Sequence, residues 1–469
     1  MQSGRNETKT RQVYSWIRDR IMQGSYRAGT SLPSTRELSK ELGVSRALIV
    51  EVYEQLTAEG FLEGKQGSGT FVRDIGASRP MHVQSEELVD RHENVSPACE
   101  NHLSCIDFRP SFPALEHVPL QKWKRVALDV YHDLPPSMLG YPEDMAGDIE
   151  LRQAICEHLL HIKGLHCQPS QIIITAGATQ AFSILGKLLL TPGETIAMED
   201  PTASFIHNIF AETNARIIPV PVDADGLCVE QLPTDVKPKC IFVTPSHQFP
   251  FGSILSISRR LQLLEYARST GAYIIEDDYD SEFRYGGMPV HALRELDAER
   301  VIYVGTFSKN MFPALRLGYI VAPQELVESI VQLKRTTDMQ CPALPQLTLA
   351  RFMNEGHLKR HILRMKRIYH KRRTHLIHAL TDTFGDKVQI SGDAAGLHLI
   401  ATWPGRNADL LTAMELEEHR IKIYPAERYT IRKDQYNDSL IMGFGNVNEA
   451  QISEGIQALA QFIQYSEPL

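Results

Sequence analysis

The chain of 469 residues is predicted to build an α/β domain around a largely parallel sheet, with a small helical block before it and a smaller α+β lobe after it. Three observations predict this. Between about residues 170 and 310 the apolar runs QIIITAG, TIAMED, CIFVTPS, AYIIEDD and VIYVGTF alternate with amphipathic stretches, the pattern of strands joined by crossover helices. The first 72 residues carry a purely helical spacing that ends in a glycine-rich hairpin. Past about residue 323 a long basic stretch, HLKRHILRMKRIYHKRRTHLIHAL, gives way to short strands and a last helix. The domains read as 8–73, a linker over 74–105, and 106–469 with its small lobe from about 323.

Composition sets the outer limits. Apolar content of 43% and charged content of 23% are those of an ordinary globular protein. No run of about 18 apolar residues occurs, so no membrane partner is expected. The N-terminal MQSGRNETKTRQ has no apolar signal core, and the cytoplasm is the expected compartment. Seven cysteines, Cys99, Cys105, Cys156, Cys167, Cys228, Cys240 and Cys341, form no C-x-x-C pair. His158 and His161 lie between two of them, but the spacing is not that of a structural zinc site, and no metal is expected. Residues 1–75 hold 11 Lys and Arg against 9 Asp and Glu, while the whole chain is at −8, so the larger part is the acidic one.

In the first block, Val13, Trp16, Ile17, Ile21 and Met22 repeat at helical spacing. LPSTRELSKEL places Ser34 three residues before Glu37, a capping box that starts a second helix. Gly43 supplies a tight turn, and Ser45 caps a third helix to about Glu59 that buries Leu48 or Ile49, Val52 and Leu56. Arg46, Ala47 and Val50 fall on its other face. GFLEGKQGSGTFV closes the block as two strands about Gly67, Ser68 and Gly69. Helix, turn, helix and hairpin make a winged helix-turn-helix, whose second helix of the motif enters a major groove of double-stranded DNA. Ser34, Arg36, Ser45 and Arg46 face phosphates in that arrangement, with Gly67 and Ser68 at the wing tip. The alternative is a small helical protein-interaction module.

The large domain carries its chemistry at strand ends. Lys309, in GTFSKNMFPALRLGY, follows the strand VIYVGTF. AYIIEDDYD ends a strand in Asp277, Asp278 and Tyr279, and a carboxylate there can pair with a protonated pyridine nitrogen while the tyrosine donates to a phenolate. Asp278, Asp280 and Glu282 also fit an acidic metal cluster or a solvated turn. QIIITAGATQAF joins a strand to a helix through a glycine turn, where the N–H groups of Ala178 and Thr179 can hold a phosphate. Thr306, Ser308 and Arg316 add hydroxyls and a guanidinium for the same anion.

Residues 10–73 resemble the winged-helix domain of the GntR regulators, and residues 106–469 resemble a fold-type I aminotransferase. The combination is similar to the MocR subfamily, most specifically in DDYDSEFRY, TPSHQFPFG and GTFSKNMFPALRLGY. The resemblance implies a PLP-dependent transcription regulator, with pyridoxal 5'-phosphate as cofactor, Lys309 as its Schiff-base lysine, Asp277 at the ring nitrogen and Tyr279 at the phenolate oxygen. It implies that Ala178, Thr179, Thr306, Ser308 and Arg316 hold the phosphate. Tyr141 matches a tyrosine that reaches the partner subunit's phosphate, which implies a homodimer, head to tail. A small amine, an amino acid or the cofactor itself would be the signal; a working aminotransferase with a DNA-binding appendage is the alternative.

Four departures bear on the signal. EDPTASF puts Ala203 where relatives have a ring-stacking tyrosine, and Phe205 where the GABA-responsive relative has a carboxylate-gripping arginine. The asparagine of NPTG is replaced within HQFPFG, and Ser439 and Leu440 stand where an arginine is expected. Arg420 and Arg428 are then the candidate cations for a carboxylate, and Phe205 points to an effector with an apolar body.

Overall fold

The computed structural model describes residues 9–58, 61–65, 69–73, 105–142, 144–285, 290–405, 420–433 and 435–465. The chain divides into two compact units, Met1–Cys99 and Glu100–Leu469. The expected linker (apart from Cys105), Gly67 and Ser68 lie outside the described residues.

The first unit holds helices α1 (Lys9–Met22), α2 (Thr35–Leu42) and α3 (Arg46–Ala58), then an antiparallel hairpin of β1 (Leu62–Lys65) and β2 (Gly69–Val72). The capping box is present in both directions: the Ser34 hydroxyl accepts from the Glu37 amide at 3.3 Å, and the Ser34 amide donates to the Glu37 carboxylate at 2.8 Å. Gly43 ends α2 in the left-handed region at φ 65°, which sets the turn, and Ser45 accepts from the Leu48 amide to start α3. Val13, Ile17, Ile21, Leu38, Ile49, Val52 and Leu56 close one core with Leu62 and Val72 of the wing. Of the two readings for α3, Ile49 is the buried residue and Leu48 is only partly covered.

The second unit opens with β3 (Ile106–Asp107), α4 (Leu120–Asp133) and α5 (Ile149–Lys163). Then come β4 (Ile172–Thr175), α6 (Ala178–Leu189), β5 (Thr195–Asp200), α7 (Ser204–Ala211), β6 (Arg216–Asp223), β7 (Gly226–Leu227), β8 (Cys240–Val243), α8 (Ile257–Thr270), β9 (Tyr273–Asp278), β10 (Val301–Thr306) and β11 (Gly318–Val321). Eight strands form one sheet in the order β4-β11-β10-β9-β8-β5-β6-β7. The central pairs β10–β9, β9–β8, β8–β5 and β5–β6 are parallel, while β11 and β7 run against their neighbours. The central strands are buried along their length, as helices on both faces of a parallel sheet require.

The remainder supplies α9 (Gln324–Thr337), α10 (Ala343–Asn354), α11 (His357–Phe384), β12 (Gln389–Ser391), β13 (His398–Thr402), β14 (Ile421–Lys422), β15 (Tyr424–Pro425), β16 (Ser439–Gly443) and α12 (Glu449–Tyr465). An antiparallel sheet, β12-β13-β16-β15, is the core of the smaller lobe. Two features were not read from the sequence. Helix α9 packs Ile330 into the core that covers the large sheet, so that layer runs past residue 323. Strand β3, at the start of the unit, pairs in parallel with β14 far along the chain, Asp107 opposite Lys422. Among the described residues no helix is long and apolar enough to cross a membrane.

Candidate cofactor and effector cavity

The C-terminal ends of parallel strands are where open α/β sheets gather ligand groups, because each strand there hands over to a loop. A cavity of about 580 Å³ opens at this edge. Ala178, Thr179, Asp277, Tyr279, Thr306, Ser308, Lys309 and Arg316 all line it, brought together from separate strand ends.

On one side, the β4–α6 turn passes through Gly177 at φ 83°, so the first amides of α6 face the cavity with no helical acceptor. A Cβ on Gly177 would meet the Arg316 guanidinium at 3.0–3.2 Å, and one on Gly318 would meet Gly177 at 2.9 Å. Arg316 is itself left-handed, φ 50°, and donates to the Ala176 carbonyl at 2.7 Å, which fixes its head beside the helix start. The Thr306 hydroxyl donates to the Ser308 hydroxyl at 3.0 Å and accepts from the Ser308 amide at 3.2 Å. Two helix-start amides, two hydroxyls and a guanidinium form an anion cradle of phosphate character.

Three carboxylates lie close in sequence, and of these only Asp277 lines the cavity. Asp278 is paired with Lys163 and accepts from Tyr303 at 2.8 Å, while Asp280 Oδ1 meets the buried His247 at 2.9 Å. Asp277 Oδ1 is buried with no hydrogen-bond partner, as is Asp280 Oδ2. Burial first, then the carboxylates of Asp278, Asp280 and Glu199, push the Asp277 pKa well above the carboxylate range, a cost relieved by a cationic N–H donor in the cavity. The acidic stretch thus forms ion pairs within the fold, and among the described residues no group of three metal-ligating side chains occurs. His158 faces Glu282 at 3.7 Å.

Lys309 follows the end of β10 and lines the same cavity as Asp277. Burial holds its ammonium below the usual 10.5, against the opposing pull of Asp280 and Asp277. Burial thus favours the neutral amine, the form in which a lysine is nucleophilic. Tyr279 Oη lies 3.1 Å from His247 Nδ1, and its ring meets Phe249 edge-on at 6.3 Å. Phe249, from the segment in which an asparagine was expected, lines the cavity, as do Ala203 and Phe205. Phe205 is half exposed.

The cations at the other end differ from those read in the sequence. Arg420 and Arg428 are not on the cavity wall; Arg109 and Lys422 are. Arg428 serves through its backbone, its carbonyl accepting from Ser204 Oγ at 3.2 Å, because Asp200 pins the loop by accepting from the amides of Ile431 and Arg432. Arg420 is left-handed at φ 58°, and its carbonyl accepts from Ile106 where β3 meets β14. Tyr141 is 77% exposed and lies off this cavity.

A buried lysine, an aspartate oxygen without a partner and a cluster of anion donors meet at one edge of this sheet, an arrangement of aminotransferase type. The family described as "Aminotransferase class I and II" matches residues 107–459, and "Bacterial regulatory proteins, gntR family" matches residues 9–72. The chain is 34% identical to the uncharacterized HTH-type transcriptional regulator YdeL of Bacillus subtilis, over 96% of this chain and 95% of that one. It is 32% identical to the probable rhizopine catabolism regulatory protein MocR of Rhizobium meliloti, over 96% and 92%. Among solved structures it resembles Pyrococcus horikoshii kynurenine aminotransferase in complex with PMP, at 26% identity and a TM-score of 0.72, over 78% of this chain and 92% of that chain. LysN, the α-aminoadipate aminotransferase of Thermus thermophilus complexed with N-(5'-phosphopyridoxyl)-L-leucine, matches at 25% identity and a TM-score of 0.70, over 77% and 92%. The chain belongs to the MocR-like HTH-type transcriptional regulators, which join a gntR-family DNA-binding domain to an aminotransferase class I and II domain.

Proposed function

We propose that the large unit is a pyridoxal-phosphate-dependent sensor of a small amine or amino acid, and that its occupancy sets how the winged helix binds an operator. The observation that carries this is the convergence of Lys309 and the partnerless Asp277 Oδ1 on one cavity. Bound there, pyridoxal phosphate supplies a reactive aldehyde and an electron-withdrawing ring. Lys309 would be its covalent anchor, Asp277 would accept from the ring nitrogen and Tyr279 would donate to the phenolate oxygen. Ala178, Thr179, Thr306, Ser308 and Arg316 would hold the phosphate. With the cofactor bound, the Lys309 amine would be the group placed to hold or move a proton within the cavity, and the charges of Asp280 and Asp277 would favour its protonated form.

In the DNA-binding unit, Arg36 and Arg46 are exposed, and the caps at Ser34 and Ser45 place them at helix starts. They contact phosphates while the exposed face of α3 reads bases. Tyr141 completes the site of a second subunit in a head-to-tail homodimer, consistent with its exposure here. The cytoplasm is the compartment in which such a regulator meets its operator. For a ligand to act, it must bind two arrangements of the dimer with different affinity.

Retention of the whole donor set favours a second reading, a working transaminase. Turnover with a panel of amino donors and keto acids separates the two, since a sensor releases no keto acid in excess of its own concentration. A response to pyridoxal phosphate itself is read by operator binding with and without the cofactor. Borohydride reduction of the yellow protein tests the anchor: the label belongs on the peptide containing GTFSK and is absent from Lys309→Ala. A label on another lysine refutes the assignment.

A further inference from the structure

Helix α5 ends at Lys163, and Gly164 after it takes the left-handed region at φ 63°. The Gly164 amide donates to the Leu160 carbonyl at 3.2 Å and the Leu165 amide to the Leu159 carbonyl at 3.3 Å, a double cap that turns the chain back along the helix. A Cβ on Gly164 would stand 2.6 Å from the His291 ring, so this reversal belongs to glycine. It brings Cys167 beside Cys156, and the two Sγ atoms lie 3.6 Å apart. Both are free and partly exposed, whereas Cys228, Cys240 and Cys341 are buried.

The surroundings give the two sulfurs different roles. Cys167 donates its S–H to Cys156, which lowers the Cys156 pKa below the usual 9.0; burial and Glu157 oppose this, and the charge of Arg152 adds to it. Arg152 stands one turn earlier on α5, buried, and its Nε has no partner among the described residues. The same contact, together with burial, raises the Cys167 pKa. Cys156 is therefore the sulfur that ionises, and Cys167 is the thiol held within reach of it.

The segment between the two cysteines also braces residues next to those of the cavity. Its Lys163 pairs with Asp278, beside Asp277. Its His158 faces Glu282 at 3.7 Å, and Glu282 accepts from Asn310, beside Lys309, at 3.0 Å.

We propose that Cys156 and Cys167 are an oxidation site, at which a peroxide joins them in a reversible disulfide and so stiffens the segment that braces Asp278 and Asn310. The Cys156 thiolate attacks one peroxide oxygen and the O–O bond breaks. That oxygen stays on sulfur as a sulfenic acid, while the other leaves as hydroxide or alkoxide and takes a proton to become water or alcohol. Cys167 then attacks the oxidised sulfur; the S–O bond breaks, and the hydroxyl leaves as water with the Cys167 proton. The two thiols have lost two electrons and the peroxide has gained them. Exchange with a dithiol restores both thiols.

The test treats the full-length protein with hydrogen peroxide, blocks free thiols with N-ethylmaleimide and digests it with trypsin without reduction. Cleavage after Lys163 puts the two cysteines on different peptides, so the bridge alone joins 153–163 to the peptide that begins at Gly164. The joined pair is expected in the mass spectrum and disappears with dithiothreitol, and this digest of the wild type needs no variant. In Cys167→Ser the reaction stops at the sulfenic acid of Cys156, which dimedone traps, while Cys156→Ser gives no dimedone adduct at Cys167. Amide hydrogen exchange around Asp278 and Asn310 slows in the bridged protein relative to the reduced one. Separate alkylation of Cys156 and Cys167 at a peroxide dose that oxidises the exposed Cys105, or a link from either to another cysteine, overturns the oxidation site. Unchanged exchange in fully bridged protein overturns its reach to the cavity.

Discussion

Replacing Glu199 with glutamine changes how stability depends on pH, and the structure gives the size of the change. Glu199 lies near the end of β5, just before Asp200, and is buried; it accepts from Thr244 at 2.5 Å and from Gln248 at 3.5 Å. Burial outweighs these hydrogen bonds and raises its pKa from 4.5 to about 7. Below pH 4.5 the carboxyl is protonated whether the chain is folded or not, and it costs nothing. Between 4.5 and about 7 the unfolded chain gives up the proton while the folded one keeps it, so stability falls as pH rises. At about 1.4 kcal/mol per pH unit this amounts to roughly 3 kcal/mol, fully developed above about pH 7.

Glutamine has the same shape and no charge to lose. Any cost of fitting its amide group is the same at every pH, so the slope is diagnostic and the offset is not. Urea midpoints followed by tryptophan fluorescence from about pH 5 to about pH 8, with both proteins in the same cofactor state, make the comparison. Trp123 and Trp403 report on this unit through their packing in its core. The variant gains on the wild type by about 2.5 kcal/mol across the range, because part of the loss has already occurred at pH 5. Parallel profiles refute the reasoning and mean that Glu199 ionises freely in the fold.

Other substitutions test other parts. Arg46→Ala weakens operator binding and lowers the salt-dependence slope by about 1, read by titrating one operator at several salt concentrations; an unchanged slope removes Arg46 from the phosphate contacts. Gly305→Ala places a methyl 2.3 Å from the Tyr319 ring, which is itself buried against Tyr303. Overpacking of this kind costs about 1–3 kcal/mol, read from the denaturation midpoint, and it loosens borohydride-trappable cofactor because Thr306 is the next residue. His398→Gln flattens the acid limb of stability: burial, then the nearby His247, lowers the His398 pKa from 6.5 to about 3, so wild-type stability is lost as pH falls below 6.5 toward 3. A variant that loses stability in parallel with the wild type over that window removes His398 as the cause.

Much of this site was legible because its signals are local. A strand followed at once by Gly177 and a helix start, or by Thr306, Ser308 and Lys309, needs only neighbouring residues to be read, and the donors so placed line one cavity. The same holds for the DNA-binding unit, where Ser34 and Glu37 carry the capping box within one turn of helix. Competition among side chains is a different matter. Nothing in the order Asp277, Asp278, Asp280 says which carboxylates take an ion pair and which one lines the cavity unpaired; that is decided by Lys163, Tyr303 and His247, which come from other elements.

The cations at the far end show the same limit more sharply. Arg420 and Arg428 lie near the expected arginine in sequence, yet neither lines the cavity; the Arg420 carbonyl accepts where β3 meets β14 and the Arg428 carbonyl accepts from Ser204. Arg109 is 315 residues away from its brace Tyr424, and only the parallel pairing of Ile106 with Ile421 and Asp107 with Lys422 brings the two together. A pairing of such separation has no periodic trace in the sequence, since each strand is two residues long. The pairing also joins the start of the unit to its small lobe.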